Sequence, residues 1–248
     1  MRERARPAAA AITFLTAVPV PRAGELGERD LLRGAPLFPA VGALVGATMA
    51  AVAWGAALAL PPLAAAVLGV AAGVGLTAAL HLDGLADVAD GIGAALGGRE
   101  PAEAMRDPRL GAFGVAALAL DLLLKISVLA ALVAGPRFPL EVIAAASLAR
   151  AAPLVLAAGL PYARPTGAGS WTRGIGLGPA VAAATVATAV GVASARVDVV
   201  PMVAAAAVVT ASLGRWASVR LGGTTGDVFG ATAELTETFA LAAALAIA

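Results

Sequence analysis

Between Gly34 and Leu80 the chain carries no charged residue, and Pro61-Pro62 divides this apolar stretch into two pieces of membrane-crossing length. A helix rises about 1.5 Å per residue, so roughly 20 mostly apolar residues are needed to cross the hydrocarbon core. The pattern predicts helices over 37–60 and 63–90, the second running past the bilayer edge into acidic sequence. Further apolar segments over 110–134, 139–160, 177–195, 199–220 and 229–248 raise the expectation to six or seven spans. Ala, Val and Gly dominate them, as close helix–helix packing in lipid favours. The expected fold is all-α: a polytopic transmembrane helical bundle forming a single domain over 34–248, without an internal repeat.

Ahead of it, residues 1–33 hold an apolar run from Ala8 to Val20 that is too short to span. The run leads into a stretch containing proline and charge, with no cleavage site, so it reads as a retained, interfacial, cytoplasmic segment and not a secretory signal. Arginine placement sets the orientation. With the N-terminus inside, Arg2, Arg4, Arg6, Arg22, Arg29, Arg33, Arg99, Arg106, Arg109, Arg164, Arg173, Arg215 and Arg220 gather on the cytoplasmic side, and only Arg137 and Arg196 fall opposite.

Composition agrees with lipid as the solvent. The chain is 60% hydrophobic and 13% charged, with a mean hydropathy of +0.90, against about 25% charged residues in a soluble domain. Scattered basic residues and few aromatics exclude nucleic acid as a partner. The absence of cysteine excludes disulfides, thiolate metal sites and cysteine nucleophiles.

Chemistry is confined to a few clusters. In HLDGLADVADG (81–91), Asp83, Asp87 and Asp90 fall on one helix face within an arc of about 60°. Carboxylates stacked in this way repel unless a cation lies among them, and hard oxygen ligands suit Mg²⁺ or Mn²⁺ completed by substrate phosphates. His81, the only histidine, adjoins this face as a proton shuttle or a hydrogen-bonded structural group. In MRDPRLGAFG (105–114), Arg106 and Arg109 suit phosphate and Asp107 suits a shared metal; the alternative is a loop of positive-inside arginines with Asp107 as a cap. In GGTTGDVFGATAELTE, Asp227, Glu234 and Glu237 follow a Gly/Thr turn able to offer backbone N–H groups to a phosphate, or else simply to start a helix with Thr225 or Asp227 as N-cap. Lys125 and Arg150 lie inside spans, where charges are costly. Asp121, four residues before Lys125, predicts a neutralising pair; Arg150 requires an anionic ligand or a distant carboxylate.

HLDGLADVADG, MRDPRLGAFG, LPYARPTGAG and GGTTGDVFGATAEL, in that order, together with FPAVGALVG at Phe38–Gly46, resemble the motifs of the adenosylcobinamide-GDP ribazoletransferase (cobalamin synthase) family across nearly the whole chain. The resemblance implies a Mg²⁺-dependent transferase of vitamin B12 biosynthesis in the bacterial inner membrane. In it, the 5′-hydroxyl or 5′-phosphate of α-ribazole displaces GMP from adenosylcobinamide-GDP to give adenosylcobalamin or its 5′-phosphate. It also implies roles. Asp83, Asp87, Asp90 and Asp107 would hold metal; the physics of phosphoryl transfer, not the resemblance, adds Asp87 or Asp90 as catalytic base. His81, Arg106, Arg109, Lys125, Arg150, Arg164, Asp227 and Glu234 would bind substrate. Partners would be the two substrates and membrane lipid, with homo-oligomers left open. One departure is Ala17, where family members often carry arginine before a Pro-x-Pro. A CDP-alcohol phosphotransferase is a rival reading, but an Ala-Arg should follow its glycine and Asp90-Gly91 lacks one. A secondary transporter would require inverted repeats.

Overall fold

The computed structural model describes residues 5–21, 25–135, 138–195 and 199–247. Their helices are α1 (Arg6–Leu15), α2 (Glu28–Gly34), α3 (Phe38–Ala57), α4 (Pro62–Leu76), α5 (Leu80–Leu96), α6 (Pro101–Ala104), α7 (Ala112–Leu132), α8 (Phe138–Gly159), α9 (Leu177–Ala195), α10 (Val199–Leu221) and α11 (Gly226–Leu245). Arg2, Arg4, Arg22, Arg137 and Arg196, used above for orientation, lie outside the described residues. Among the described residues six helical runs are long and apolar enough to cross a membrane, and α4 with α5 would make a seventh.

That seventh segment departs from expectation. In place of one helix over 63–90, α4 and α5 meet at 91°. The cause is local: Ala78 and Ala79 both adopt left-handed backbone, with φ of 49° and 56°. This conformation is costly for a residue with a side chain. Thr77 ends α4 with its hydroxyl donating to Gly73 O at 2.9 Å, and Ala17 N donates to Leu76 O at 2.8 Å. With Val74 O accepting from Ala79 N at 3.0 Å and Gly75 O from Ala78 N at 3.3 Å, the freed carbonyls are satisfied, as a buried helix end requires. A hydropathy window cannot register such a corner, because Thr77-Ala78-Ala79 is as apolar as its surroundings.

The expected boundary at 33/34 falls within a helical run from Glu28 to Ala57, joined through a 3-10 turn at Ala35–Leu37. The N-terminal segment is packed onto the bundle. Ala9, Ala10, Ala11 and Leu15 of α1 are buried, and Arg6 pairs with Asp30 of α2 at 2.7 Å.

Helix α8 is the axis of the bundle, contacting α3, α9, α10 and α11. Gly42 and Gly46, one turn apart on α3, allow close approach. A side-chain carbon on Gly46 would lie 2.7 Å from Val142 O and 2.8 Å from Ala146 Cβ. Such small residues let helices pack where lipid supplies no hydrophobic drive. The main core joins Val45, Met49, Leu129, Phe138, Val142 and Leu241. The exposed Leu120, Leu123, Val181 and Val208 of α7, α9 and α10 suit contact with lipid tails.

Candidate active site

The site begins where α5 crosses α11. Gly84 and Gly230 face each other there, with a carbon added to Gly230 falling 3.2 Å from Gly84 Cα. Only glycines permit this approach, and it sets Asp83 and Asp87 of α5 beside Asp227 in the first turn of α11. Thr225 caps α11, accepting from Val228 N at 3.3 Å. The preceding turn is stitched to the loop after α8. Thr224 N donates to Pro161 O and Ala163 N donates to Thr224 O, each at 2.8 Å. Gly222, at φ +72°, is the left-handed residue that turns the chain out of α10. The pairing sets Arg164 against Asp227, Nη1 to Oδ2 at 2.8 Å.

A cavity of about 910 Å³, open mouth included, lies between these elements. Asp83, Arg164 and Asp227 form its polar rim, His81 and Arg150 its floor, and Phe14, Phe38, Leu154, Trp171 and Phe229 its apolar wall. Four of the sequence motifs, far apart in the chain, therefore contribute to one cavity.

Beneath the floor the intramembrane charges neutralise one another. Lys125, 2% exposed, donates to Glu234 and, at 3.3 Å, to Glu237. Arg150, 4% exposed, donates from Nη1 to the other oxygen of Glu237, while its Nη2 lies 3.5 Å from His81 Nδ1. Asp121 is 4.0 Å from Lys125 and accepts from Thr238 at 2.7 Å. The expected Asp121–Lys125 pair forms, with Glu234 and Glu237 of α11 as nearer partners of Lys125. Lys125 and Glu234 are bound to each other and do not line the main cavity. The distant carboxylate that Arg150 requires is Glu237.

The second motif lies elsewhere. Asp90 spends both carboxylate oxygens on the start of α7, accepting from Gly111 N and Gly114 N at 2.8 Å each. It caps the helix from a neighbouring element, an arrangement that competes with roles as base or metal ligand. Asp107 accepts from Arg109 Nε and backbone N at 3.0 Å and from Nη2 at 2.7 Å. These bonds hold its carboxyl down at about 2 and raise the Arg109 guanidinium. Arg106, Asp107 and Arg109 do not line the cavity.

The cobalamin-5-phosphate synthase family matches residues 7–245 of the chain. The chain belongs to this family. It is 40% identical over 243 residues to the adenosylcobinamide-GDP ribazoletransferase of Azorhizobium caulinodans, covering 92% of this chain and 90% of that one. Proteins of the same name from Roseiflexus sp. and Pseudomonas paraeruginosa are 37% and 38% identical, covering 95% and 98% of this chain and 88% and 99% of theirs. No solved structure matches.

For this family member the carboxylates can be tested as a metal site. Among the described residues no three acidic or histidine side chains close around one point, so the four-aspartate set expected from sequence is not assembled. Asp87 nonetheless lies within electrostatic reach of Asp83 and Asp227, with Arg164 also near. One or two of these hard-oxygen groups would suffice for a Mg²⁺ ion that draws its remaining ligands from substrate phosphates. Sequence reasoning missed the apolar wall. Trp171 and Phe229 sit in runs read for their glycines and charges, and Phe14 and Phe38 look like ordinary membrane residues.

Proposed function

We propose that the chain is an adenosylcobinamide-GDP ribazoletransferase of the bacterial inner membrane, joining adenosylcobinamide-GDP to α-ribazole or its 5′-phosphate with release of GMP on the cytoplasmic side. The observation that carries this reading is the convergence of the aspartate helix, the Tyr162–Arg164 loop and the start of α11 on one cavity with an acidic and guanidinium rim.

The chemistry is transfer of a substituted phosphoryl group. A ribose hydroxyl oxygen bonds to the phosphorus nearer the corrinoid, the bridging P–O bond to GMP breaks, and the hydroxyl proton passes to a carboxylate. The family is named for a cobalamin 5-phosphate. A 5′ position that carries phosphate into the product cannot be the attacking group, so another ribose hydroxyl attacks and the 5′ attack expected from sequence is revised. Arg164 offers a planar guanidinium for phosphate recognition, and Arg150 places positive charge at the floor. Asp87, flanked by Asp83 and Asp227 but not itself among the residues lining the cavity, is the candidate proton acceptor. Mg²⁺, if held by Asp83 or Asp227 together with the substrate phosphates, would spread the charge on the transferring group and the departing GMP.

Incubating the purified protein in detergent with adenosylcobinamide-GDP, α-ribazole and Mg²⁺ tests the reading. GMP and adenosylcobalamin should appear together, and chelation by EDTA should stop both. Absence of GMP from folded protein would sink the assignment; turnover undiminished by EDTA would remove the metal.

A further inference from the structure

Five of the chain's ten aromatic residues (six Phe, three Trp, one Tyr) line this one cavity: Phe14, Phe38, Tyr162, Trp171 and Phe229. Aromatics are only 4% of the chain, so the concentration is not an effect of composition. Phe14 stacks on Phe38 with centroids 5.7 Å apart and planes at 22°, and Trp171 meets both at the same distance with its ring turned by 85° and 64°. Tyr162 and Phe229 pair at 6.2 Å. Trp171 is 5% exposed, and among the described residues its Nε1 has no acceptor. A buried N–H without a partner is unfavourable and normally finds one.

The volume of about 910 Å³ includes open solvent at the mouth, so the enclosed part takes a group no larger than a small fused-ring base. A corrinoid carrying a nucleotide is far larger and must lie across the mouth, its diphosphate at the Asp83, Arg164 and Asp227 rim. The aromatic wall is then left for the smaller substrate. The ribazole base is a methylated pair of fused rings with one free ring nitrogen, an acceptor, and no N–H donor. Guanine would bring several donors and acceptors against phenyl and alkyl surface and leave them unmatched.

We propose that the Phe14–Phe38–Trp171 wall seats the base of α-ribazole and that Trp171 donates its indole N–H to the free ring nitrogen. The inference rests on the transferase reading above. It orients the nucleoside with its base deep in the cavity and its ribose toward the carboxylate rim. It also makes Trp171 a specificity-determining residue that does no chemistry itself.

The test combines kinetics with fluorescence. Trp171→Phe keeps the stacking surface and deletes the donor. It should raise KM for α-ribazole roughly three- to ten-fold, the loss of one neutral hydrogen bond, while KM for adenosylcobinamide-GDP and kcat stay near wild type. In a Trp54→Phe/Trp216→Phe protein, Trp171 is the sole indole. Its emission should change saturably with α-ribazole, but not with GDP. If wild type turns over yet Trp171→Phe leaves KM for α-ribazole unchanged, or GDP alone perturbs the indole, the base does not sit there and the proposal fails while the transferase reading stands. If wild type forms no GMP, the transferase reading itself falls and the proposal with it. The fluorescence arm uses an intact Trp171, so poor folding of Trp171→Phe cannot leave the question open.

Discussion

Gly84 on α5 and Gly230 on α11 lie backbone against backbone at the point where the acidic residues of two helices meet. A carbon added to Gly84 would lie 2.6 Å from Asp227 O and 3.0 Å from Gly230 Cα, atoms that cannot rotate aside. Gly84→Ala must therefore spread the two helices, and overpacking of this kind costs about 1–3 kcal/mol. Spreading also separates Asp83 and Asp87 from Asp227. Displacements near 1 Å can cost on the order of 100-fold in rate, so kcat/KM should fall far more than thermal stability in detergent suggests. Wild-type kcat/KM in Gly84→Ala would show that the crossing does not set the site.

Asp90 and its helix neighbours should separate by phenotype. Asp90→Ala removes the acceptor for Gly111 N and Gly114 N, a loss of about 1–2 kcal/mol on the scale of helix caps. Its signature should be a lowered Tm with substantial residual turnover at low temperature. Asp83→Asn and Asp87→Asn should do the reverse: turnover lost, Tm near wild type. If Asp90→Ala is folded with normal Tm yet inert, the carboxylate acts in chemistry and the capping account is wrong.

The spans and the site differ in how far they were legible in advance. The apolar windows at 110–134, 139–160, 177–195 and 199–220 match α7, α8, α9 and α10 closely, because burial in lipid demands an uninterrupted run that no other environment produces. The α4–α5 corner was invisible, since it depends on two alanines held in left-handed backbone by tertiary contacts such as Ala17 N to Leu76 O. Within the site, the i, i+4, i+7 spacing correctly put Asp83, Asp87 and Asp90 on one helix. Spacing could not say that Asp90, a turn beyond Asp87, would meet α7 and be drawn into its cap. The Asp121–Lys125 spacing anticipated an ion pair that forms, at 4.0 Å, but could not show the two nearer carboxylates on α11, about 110 residues away in the chain.

Asp107 and Arg109 yield a pH prediction. The Arg109 hydrogen bonds lower the Asp107 carboxyl from 3.8 to about 2. A depressed acid favours the folded loop above its unfolded pKa, and that advantage is lost as pH falls through the lowered value. The clip should therefore be complete at pH 5 and above and break at about pH 2. Both side chains are solvent-exposed, so its share of global stability should be small. Carboxyl NMR of selectively labelled protein should give a midpoint near 2, moving back toward 3.8 in Arg109→Gln. A wild-type midpoint near 4 would show the pair is not formed in solution.

The charges below the cavity floor test whether Lys125 serves structure or substrate. Glu237 accepts from both Lys125 and Arg150, so it joins the membrane-buried network to the floor of the cavity. Removing one member of a buried ion pair strands the other and costs about 3–5 kcal/mol. Lys125→Met should therefore lower Tm sharply by leaving Glu234 and Glu237 short of a cation. Lys125→Met with Glu234→Gln should recover part of the loss, because one stranded charge is then gone, and that non-additivity marks direct coupling. Glu237→Gln should act through Arg150 as well, altering KM for the nucleotide substrate alongside stability. A substrate ligand would behave otherwise: Lys125→Met would keep its Tm and lose affinity for adenosylcobinamide-GDP. That result would mean Lys125 leaves Glu234 when substrate binds, and the network is a resting state and not a scaffold.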